Sequence, residues 1–301
     1  MTAAAKRVPA LVAILGPTAS GKSVLAERLA SHLDAVLVSA DAFQVYRGFD
    51  IGTAKPRDRA KYRLIDILEP QEPYGVGDFV IRASGELNDA WERRQSVVVV
   101  GGTGLYVRAL TEEYRNLSPM PDLELRKGLE RKERDIGLEA LAGELARLDP
   151  AAASKTDLRN PVRVRRALEK ALSPVKPLEF KLPAFQLRKI GLDPDSAALR
   201  ERIGERVDKM MQNGWVREVG RLKDSGVDPS YPAMRAIGYR TIWRHLEGGL
   251  SEKEAAALIV AETARYAKRQ RTWLRSEPRT HTLIGFGDSN EAFDLAVNPM
   301  K

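Results

Sequence analysis

A short run near the amino terminus has the residue types and the spacing of a phosphate-binding loop. The segment GPTASGKS fits the pattern G-x-x-x-x-G-K-[ST], follows an apolar run and opens a helical one. In that context, backbone N–H groups and the helix N-terminus hold phosphate oxygens. The residues expected at the phosphates are Gly16, Pro17, Thr18, Ala19, Ser20, Gly21, Lys22 and Ser23. The motif specifies bound phosphates and leaves the reaction open.

Two side chains of this loop carry separate chemistry. Lys22 brings a point charge to the terminal phosphate, which makes it a candidate catalytic residue. The hydroxyl of Ser23 can ligate magnesium, and magnesium is therefore the cofactor that the sequence predicts.

A carboxylate at the end of an apolar strand would order that metal in an ATP-hydrolysing protein. The run SVVVVGGTG ends in glycines, whereas AVLVSAD ends in Asp41. Two interpretations of Asp41 stay open at this point. It is either a Walker-B-like metal organiser or a general base that faces an acceptor with a poorly nucleophilic atom and a proton to lose.

The elements that must position these residues alternate strand and helix. Apolar runs predict buried strands at 10–15, 34–40 and 96–102, with helices at 22–33 and 77–95. This alternation predicts an α/β fold, a P-loop NTPase-like doubly wound parallel sheet, with ligands at the carboxyl ends of the strands.

The character of the chain changes after residue 117. Residues 118–184 are charged, helical in pattern and without a strong strand candidate, which predicts a helical insertion domain. The catalytic core would then comprise residues 1–117 and 185–301. Its second part is expected to contain a strand at 185–193, a last strand in THTLIGF, and helical stretches near 196–213, 214–224, 234–246 and 251–275.

Composition limits the class of protein. The chain has 301 residues, a formal net charge of +8 and no cysteine, so disulfides and thiolate metal sites are excluded. No apolar run approaches the roughly 18 residues that a membrane span needs, and the N-terminal residues have no signal-peptide pattern. We therefore expect a cytoplasmic protein, monomeric and without a membrane partner. The basic excess is compatible with a polyanionic partner.

Several longer blocks resemble the bacterial tRNA dimethylallyltransferases, also called isopentenyl-tRNA transferases. They occur in the family order and span nearly the whole chain, and the longest of them is highly specific. The blocks are GPTASGKS, SADAFQVYRGFDIGTAKP, LIDILEP, VVGGTGLYVRAL, RALE, MRAIGYR and TARYAKRQRTWLR.

The resemblance implies a reaction and two partners. The family transfers a dimethylallyl group from dimethylallyl diphosphate to the exocyclic amine of the adenosine on the 3′ side of the anticodon in tRNA. The loop at 16–23 would then hold the diphosphate of a prenyl donor, and ATP would not be needed.

The resemblance also implies roles for single residues. Asp41 would take the proton of the amine, whose lone pair is delocalised into the ring. Thr103 would contact the same nucleotide and act in catalysis, and Arg206 would clamp the diphosphate. The nucleotide would further lie against Ala42, Phe43 and Gln44, with Gln44 placed to read the adenine edge. Thr103 could instead cap a helix, Gln44 could lie in a surface turn, and Arg206 could lie on a solvated helix face.

The resemblance implies further tRNA contacts at a single arginine, in one basic segment and in a segment near residue 238. They are Arg126, then Val162, Arg163, Val164, Arg165 and Arg166, and then Ala236, Ile237, Gly238, Tyr239, Arg240 and Thr241. Phosphate contacts should make affinity fall steeply with salt. Because the target base must leave its stack, Phe43, Tyr46 and Tyr106 are candidates for stacking on it, and the alternative is that they belong to the core.

Two other functions share parts of this pattern. A small-molecule phosphotransferase would have the same loop, fold and lid-like insertion, and would turn over ATP without tRNA. A non-catalytic RNA-binding switch would bind tRNA without forming a product, and it would leave Asp41 and Thr103 unexplained.

Overall fold

A parallel sheet carries the loops that the sequence marks as functional. The computed structural model describes residues 8–112, 114, 123–173, 180–283 and 285–297. Within those residues the sheet has six strands in the order β3-β2-β4-β1-β5-β6, and every pairing is parallel. The strands are β1 (Ala10–Leu15), β2 (Val36–Ser39), β3 (Tyr62–Arg63), β4 (Val97–Val100), β5 (Gln186–Leu192) and β6 (Thr280–Leu283). The predicted fold class is confirmed.

Helices follow most strands, as the alternating pattern predicts. They are α1 (Lys22–Leu33), α2 (Val76–Glu92), α3 (Gly104–Thr111), α4 (Leu123–Leu148), α5 (Pro150–Lys155), α6 (Pro161–Leu172), α7 (Ser196–Gln212), α8 (Trp215–Asp224), α9 (Tyr239–Leu246), α10 (Glu252–Arg275) and α11 (Asn290–Val297). In the described part of the chain, none of them is long and apolar enough to cross a bilayer.

Most predicted elements are found within two or three residues of their expected ends. One expectation was wrong: residues 234–246 are not a single helix. A 3-10 turn, Pro232–Arg235, precedes α9, and Gly238 between them has a φ of +91°. The short strand β3 and the helix α11 were not predicted from the sequence. The last strand ends at Leu283, and residue 284 of the predicted run lies outside the described residues.

The chain divides into two compact units, Met1–Tyr114 with Phe180–Lys301 and Arg115–Glu179. The domain boundary expected at residue 118 lies outside the described residues, and the one expected at 184 lies five residues beyond the end of the second unit. The first unit holds the sheet. In the second unit, α4 is interrupted at Gly137, and the three helices α4, α5 and α6 pack on a small apolar core.

Two apolar clusters pack in the first unit. One joins β1, β4 and β5 to α1 and α11 through residues such as Val12, Leu25 and Ile190. The other surrounds the fully buried Trp215 and Tyr239 of α8 and α9, and it includes Val45 and Phe49 of the segment that follows β2. The first cluster therefore holds the sheet, and the second anchors the segment after Asp41 to the helices.

Sheet order decides which loops meet. Strand β4 lies between β1 and β2, with Val100 in register with Ile14 of β1 and with Ser39 of β2. The phosphate loop after β1, the segment with Asp41 after β2 and the Gly-Gly-Thr-Gly turn after β4 therefore leave the sheet at the same edge, where ligands bind in open parallel sheets.

Candidate active site

The phosphate loop supplies one cation, Lys22, and a buried hydroxyl, and Arg206 of α7 supplies a second cation beside them. Lys22 opens α1, and its Nζ donates a hydrogen bond to the Pro17 carbonyl at 2.5 Å. Burial, together with the positive charge of Arg206, lowers the pKa of Lys22 to about 7, although Asp41 opposes the change. Arg206 is itself half-buried, and desolvation lowers its pKa, while Asp41 acts in the opposite direction. The Oγ of Ser20 is buried and has no hydrogen-bond partner among the described residues.

Asp41 acts on both cations through space, but it forms an ion pair with neither. Neither Lys22 nor Arg206 forms an ion pair within the described ranges. Two desolvated positive charges that lie close together destabilise the protein unless a bound anion neutralises them. The loop geometry and the charges therefore fit a phosphate or diphosphate group.

Asp41 is held by the backbone that follows it. Its Oδ1 accepts hydrogen bonds from the N–H groups of Phe43, at 2.8 Å, and Gln44, at 3.2 Å. This short turn directs the carboxylate into a cavity of about 460 Å³ that Lys22 and Arg206 also line. The predicted base and the predicted phosphate-binding cations thus face one space.

Gln44 is oriented by the chain around it. Its Nε2 donates to the carbonyls of Thr53, at 3.1 Å, and Ala54, at 3.3 Å, while its Oε1 accepts from the Ser39 hydroxyl at 2.9 Å. Both amide hydrogens are used, and one acceptor position of Oε1 remains. Gln44 is therefore fixed as an acceptor at the cavity wall, and the alternative of a surface turn residue does not apply.

Thr103 occupies the N-cap position of α3, but its side chain makes no capping hydrogen bond. It instead hydrogen-bonds with the phenol of Tyr266, a residue of α10 that lines the cavity. Burial, more than the nearby Asp41 charge, raises the pKa of Tyr266 to about 12, so the phenol stays protonated. Gly101 and Gly102 of the same turn line the cavity, whereas Thr103 is not among its lining residues.

Most of the site residues predicted in the unit that contains the sheet line this cavity. They are Thr18, Ala19, Ser20, Gly21, Lys22, Ser23, Asp41, Phe43, Gln44, Arg206, Ala236 and Ile237. A second cavity, of about 720 Å³, shares Arg206 and Ala19 with the first and is lined by further basic side chains, including Arg57, Arg59 and Lys209. The prediction that the phosphate loop and Arg206 lie together is consistent with this arrangement.

Four predicted aromatic or turn contacts need correction. Tyr46 and Tyr106 are buried in the core, and the Tyr46 hydroxyl donates to the Glu72 carbonyl. Neither ring can stack on an RNA base. Tyr239 is fully buried, and Thr241 is buried beside it. In the segment 236–241, the cavity is lined by Ala236 and Ile237, and Arg240 is exposed.

In the helical unit, the residues 162–166 divide by their position on α6. Val162 and Arg163 are 63% and 65% exposed in their side chains. Val164 is fully buried among the apolar residues of that unit, so a tRNA contact at this position cannot be made by its side chain. Arg165 pairs with Glu133.

Arg126 and Arg166 share one buried carboxylate. Arg126 binds both oxygens of Glu169, at 2.7 Å and 3.0 Å, and Arg166 donates to Oε2 at 2.8 Å. The two guanidinium groups hold the pKa of Glu169 below its ordinary value although burial acts in the opposite direction. This triad leaves one net positive charge, and both arginines remain about one-third exposed.

Several side chains that line the cavity were not predicted from the sequence. Among them, Gln270 and Tyr266 lie one turn apart on α10, and Trp215 forms part of the wall. The block TARYAKRQRTWLR contributes to the family resemblance, but no single residue of it was predicted at the site. The four-residue spacing of Tyr266 and Gln270, which places both on one helix face, was the signal available.

The protein offers few ligands of its own to a metal ion. Within the described residues, no group of three or more histidine or acidic side chains could hold one. Ser23, exposed in the first turn of α1, and Asp41 supply oxygen atoms at the cavity. Magnesium keeps several waters and commonly binds through substrate phosphates, so these residues fit a magnesium ion that arrives with a phosphate group.

Comparison with known proteins agrees with this geometry. The family model described as IPP transferase matches residues 44–277. The chain belongs to the IPP transferase family. The tRNA dimethylallyltransferase of Geobacter metallireducens is 42% identical over 278 residues, with 89% of this chain and 90% of the relative covered. That of Thiobacillus denitrificans is 40% identical over 302 residues, with 96% of each chain covered.

Solved structures of the family have the same architecture. The full-length tRNA isopentenylpyrophosphate transferase of Bacillus halodurans matches with a TM-score of 0.70 and 34% identity, over 97% of this chain and 95% of that one. A eukaryotic dimethylallyltransferase, solved acting on tRNA, matches with a TM-score of 0.75 over 97% of this chain and 77% of its own. At 22% identity, that second likeness concerns the fold alone.

Proposed function

We propose that this protein transfers a dimethylallyl group from dimethylallyl diphosphate to the exocyclic amine of the adenosine 3′ of the anticodon in tRNA. One observation carries the proposal. A single cavity is lined by residues of the phosphate loop with Lys22, by Arg206 of α7 and by the carboxylate of Asp41. Membership of the IPP transferase family supports the same reaction.

The donor side of the cavity suits a diphosphate leaving group. When the bond between the allylic carbon and oxygen breaks, negative charge grows on the diphosphate. Loop N–H groups, Lys22 and Arg206 are already in place to stabilise that charge, so little reorganisation is needed during the step. Binding the anion also restores the proton affinity that burial takes from Lys22.

Magnesium would add to this effect. Ser23 and the donor's phosphate oxygens would hold it, and when bound it supplies further neutralisation of the diphosphate charge.

The acceptor side suits an amine that must lose a proton. Asp41 keeps its carboxylate aimed into the cavity through its hydrogen bonds to Phe43 and Gln44. As the carbon–nitrogen bond forms, this carboxylate takes the proton of the amine. The free acceptor position on Gln44 Oε1 is complementary to an adenine N–H group.

The test is prenyl transfer with a matched pair of variants. Purified protein is incubated with unmodified tRNA, dimethylallyl diphosphate and magnesium, and anticodon-loop fragments are weighed by mass spectrometry. Asp41→Asn preserves an acceptor for the two N–H groups but cannot take a proton, and general-base loss costs about 10²–10⁴-fold in rate. The control, Asp58→Asn, changes an exposed carboxylate that pairs only with Lys61.

The expected result is a mass gain on adenosine, a large loss of kcat in Asp41→Asn and an unchanged dissociation constant for tRNA. A wild-type protein that turns over ATP with a small acceptor and leaves tRNA unmodified would refute the proposal. Equal losses of rate and tRNA affinity in Asp41→Asn would remove the assignment of Asp41 as the base.

A further inference from the structure

One buried side chain of α10 joins the phosphate loop to the glycine turn after β4. The Oε1 of Gln270 accepts the N–H of Thr18 at 2.8 Å, and its Nε2 donates to the Gly102 carbonyl at 2.9 Å. The residue is only 8% exposed. Because one partner is a donor and the other an acceptor, the amide can satisfy both in only one orientation.

This amide lies close against the turn. A Cβ atom on Gly102 would lie 2.1 Å from Gln270 Nε2, so a side chain at that position would displace the amide from its two hydrogen bonds. One helical turn earlier on α10, Tyr266 hydrogen-bonds with Thr103 and with Gln270. Gln270 and Tyr266, on one face of α10, therefore hydrogen-bond with the two residues that follow Gly101, which are Gly102 and Thr103.

The bridge connects the two halves of the proposed reaction. Thr18 belongs to the loop that would hold the donor diphosphate, and Gly102 precedes the residue expected at the acceptor nucleotide. Transfer requires the allylic carbon and the amine to meet at near-attack distance, and a misplacement of 1 Å can cost about 10²-fold in rate. A link between the two loops controls that distance.

We propose that Gln270 is a positioning residue that sets the separation of the donor loop from the acceptor-side turn. This inference rests on the proposed prenyl transfer. It assigns Gln270 no contact with the reacting atoms and no part in binding either substrate alone.

Other contacts hold α10 in place without Gln270. Ala267 packs with Leu199 and Ile203 of α7 in a separate apolar cluster, and Arg271 pairs with Asp193 at 2.5 Å. We therefore expect substitution of Gln270 to leave the fold intact while the two loops lose their fixed separation.

The experiment compares Gln270→Leu and Gln270→Glu with wild type, and uses Gln71→Leu, at an exposed position, as the control. Leucine has similar size and removes both hydrogen bonds. Single-turnover prenyl transfer is measured beside separate dissociation constants for inorganic diphosphate and for tRNA. We expect Gln270→Leu to lose about 10–100-fold in transfer rate, with each dissociation constant within about threefold of wild type, and Gln71→Leu to match wild type.

Gln270→Glu provides a readout that a purely structural role would not move. A protonated carboxyl can donate to Gly102 and accept from Thr18, whereas the carboxylate loses the donor, and burial beside a carbonyl raises a carboxyl pKa. The ratio of variant to wild-type rate should therefore rise as pH falls. Because the titratable groups around the cavity, Lys22, Asp41, Arg206, Tyr266 and Arg269, are present in both proteins, the ratio isolates residue 270.

The possible results distinguish a failure of the proposed function from a failure of the inference about Gln270. A wild-type protein without transfer overturns the proposed function, and this inference with it. Transfer by Gln270→Leu at the wild-type rate, or a rate loss that is matched by loss of substrate affinity, overturns this inference alone. So does a ratio for Gln270→Glu that does not change with pH.

Discussion

Replacement of Lys22 by methionine should make the ligand-free protein more stable while removing its affinity for diphosphate. The site places this ammonium group in a half-buried position beside Arg206, and its pKa falls to about 7 from an ordinary 10.5. A folded-state pKa below the unfolded one means that the unfolded chain binds more protons between these values. The wild type therefore gains stability as pH rises through that window.

The magnitude follows from the two pKa values. At pH 6, Lys22 is charged in both states, and the fold bears the full penalty of roughly 5 kcal/mol, at about 1.4 kcal/mol for each tenfold loss of proton affinity. Loss of the hydrogen bond to the Pro17 carbonyl offsets about 1 kcal/mol of the gain in the variant. Lys22→Met should thus be more stable by about 4 kcal/mol at pH 6 and by about 1 kcal/mol at pH 9.

Urea unfolding of both proteins at pH 6, 7, 8 and 9 measures this difference. All four tryptophans, Trp91, Trp215, Trp243 and Trp273, lie in the unit that contains the sheet, so their fluorescence reports on that unit. Lys61→Met, at an exposed lysine paired with Asp58, is the control and should show little dependence on pH. Inorganic diphosphate should then stabilise the wild type strongly and Lys22→Met little, because a ligand stabilises only the state that binds it.

The reasoning fails if Lys22→Met is less stable than wild type at pH 6. It fails equally if the difference between the two proteins does not shrink between pH 6 and pH 9. Either result would mean that Lys22 is already satisfied in the ligand-free protein and that no anion is needed to complete the site.

Two further predictions concern residues outside the phosphate loop. The buried Glu218 accepts hydrogen bonds from the N–H groups of Asp50 and Ile51 and from the Tyr239 hydroxyl. Because Glu218→Ala leaves these buried donors unpaired, it should lower the free energy of unfolding in urea by about 3 kcal/mol or more. Glu218→Gln keeps an acceptor and should lower it much less. An equal cost for both variants would exclude that role. Arg163→Ala should weaken tRNA binding and lower the slope of its salt dependence by about 1. Val164→Ala should instead change only the stability of the helical unit, by about 2 kcal/mol for the lost methyl groups. A loss of tRNA affinity in Val164→Ala that matches the loss in Arg163→Ala would restore Val164 as a contact.

Local sequence patterns predicted the elements that present the site. Strand β1 and helix α1 agree with their predicted bounds, because an apolar run, a glycine-rich loop and leucines at four-residue spacing are all signals within a short window. The missed strand β3 has only two residues and owes its pairing to β2. No periodicity can reveal an element of that length.

Burial was the quantity that the sequence could not supply. Tyr46 and Tyr106 stand beside functional motifs, yet both pack in the core, where the apolar environment also raises the pKa of each phenol. Val164 lies between exposed basic residues on α6, but helix geometry turns it to the opposite face. Gln270 was missed for a related reason: its partners are Thr18 and Gly102, each more than a hundred residues distant.

The glycines after β4 explain why this phosphate loop is not followed by a metal-ordering carboxylate on that strand. A Cβ atom on Gly101 would lie 2.1 Å from the Ala40 carbonyl, and one on Gly102 would meet Gln270 at the same distance. The backbone contact excludes an acidic side chain at Gly101, and one at Gly102 would displace the Gln270 amide. Since β4 lies between β1 and β2, the carboxylate that shares the cavity with the phosphate loop comes instead from the segment after β2, as Asp41. Asp41 is the one carboxylate among the described residues that line this cavity, so the acid that serves the reacting group follows β2 and not β4.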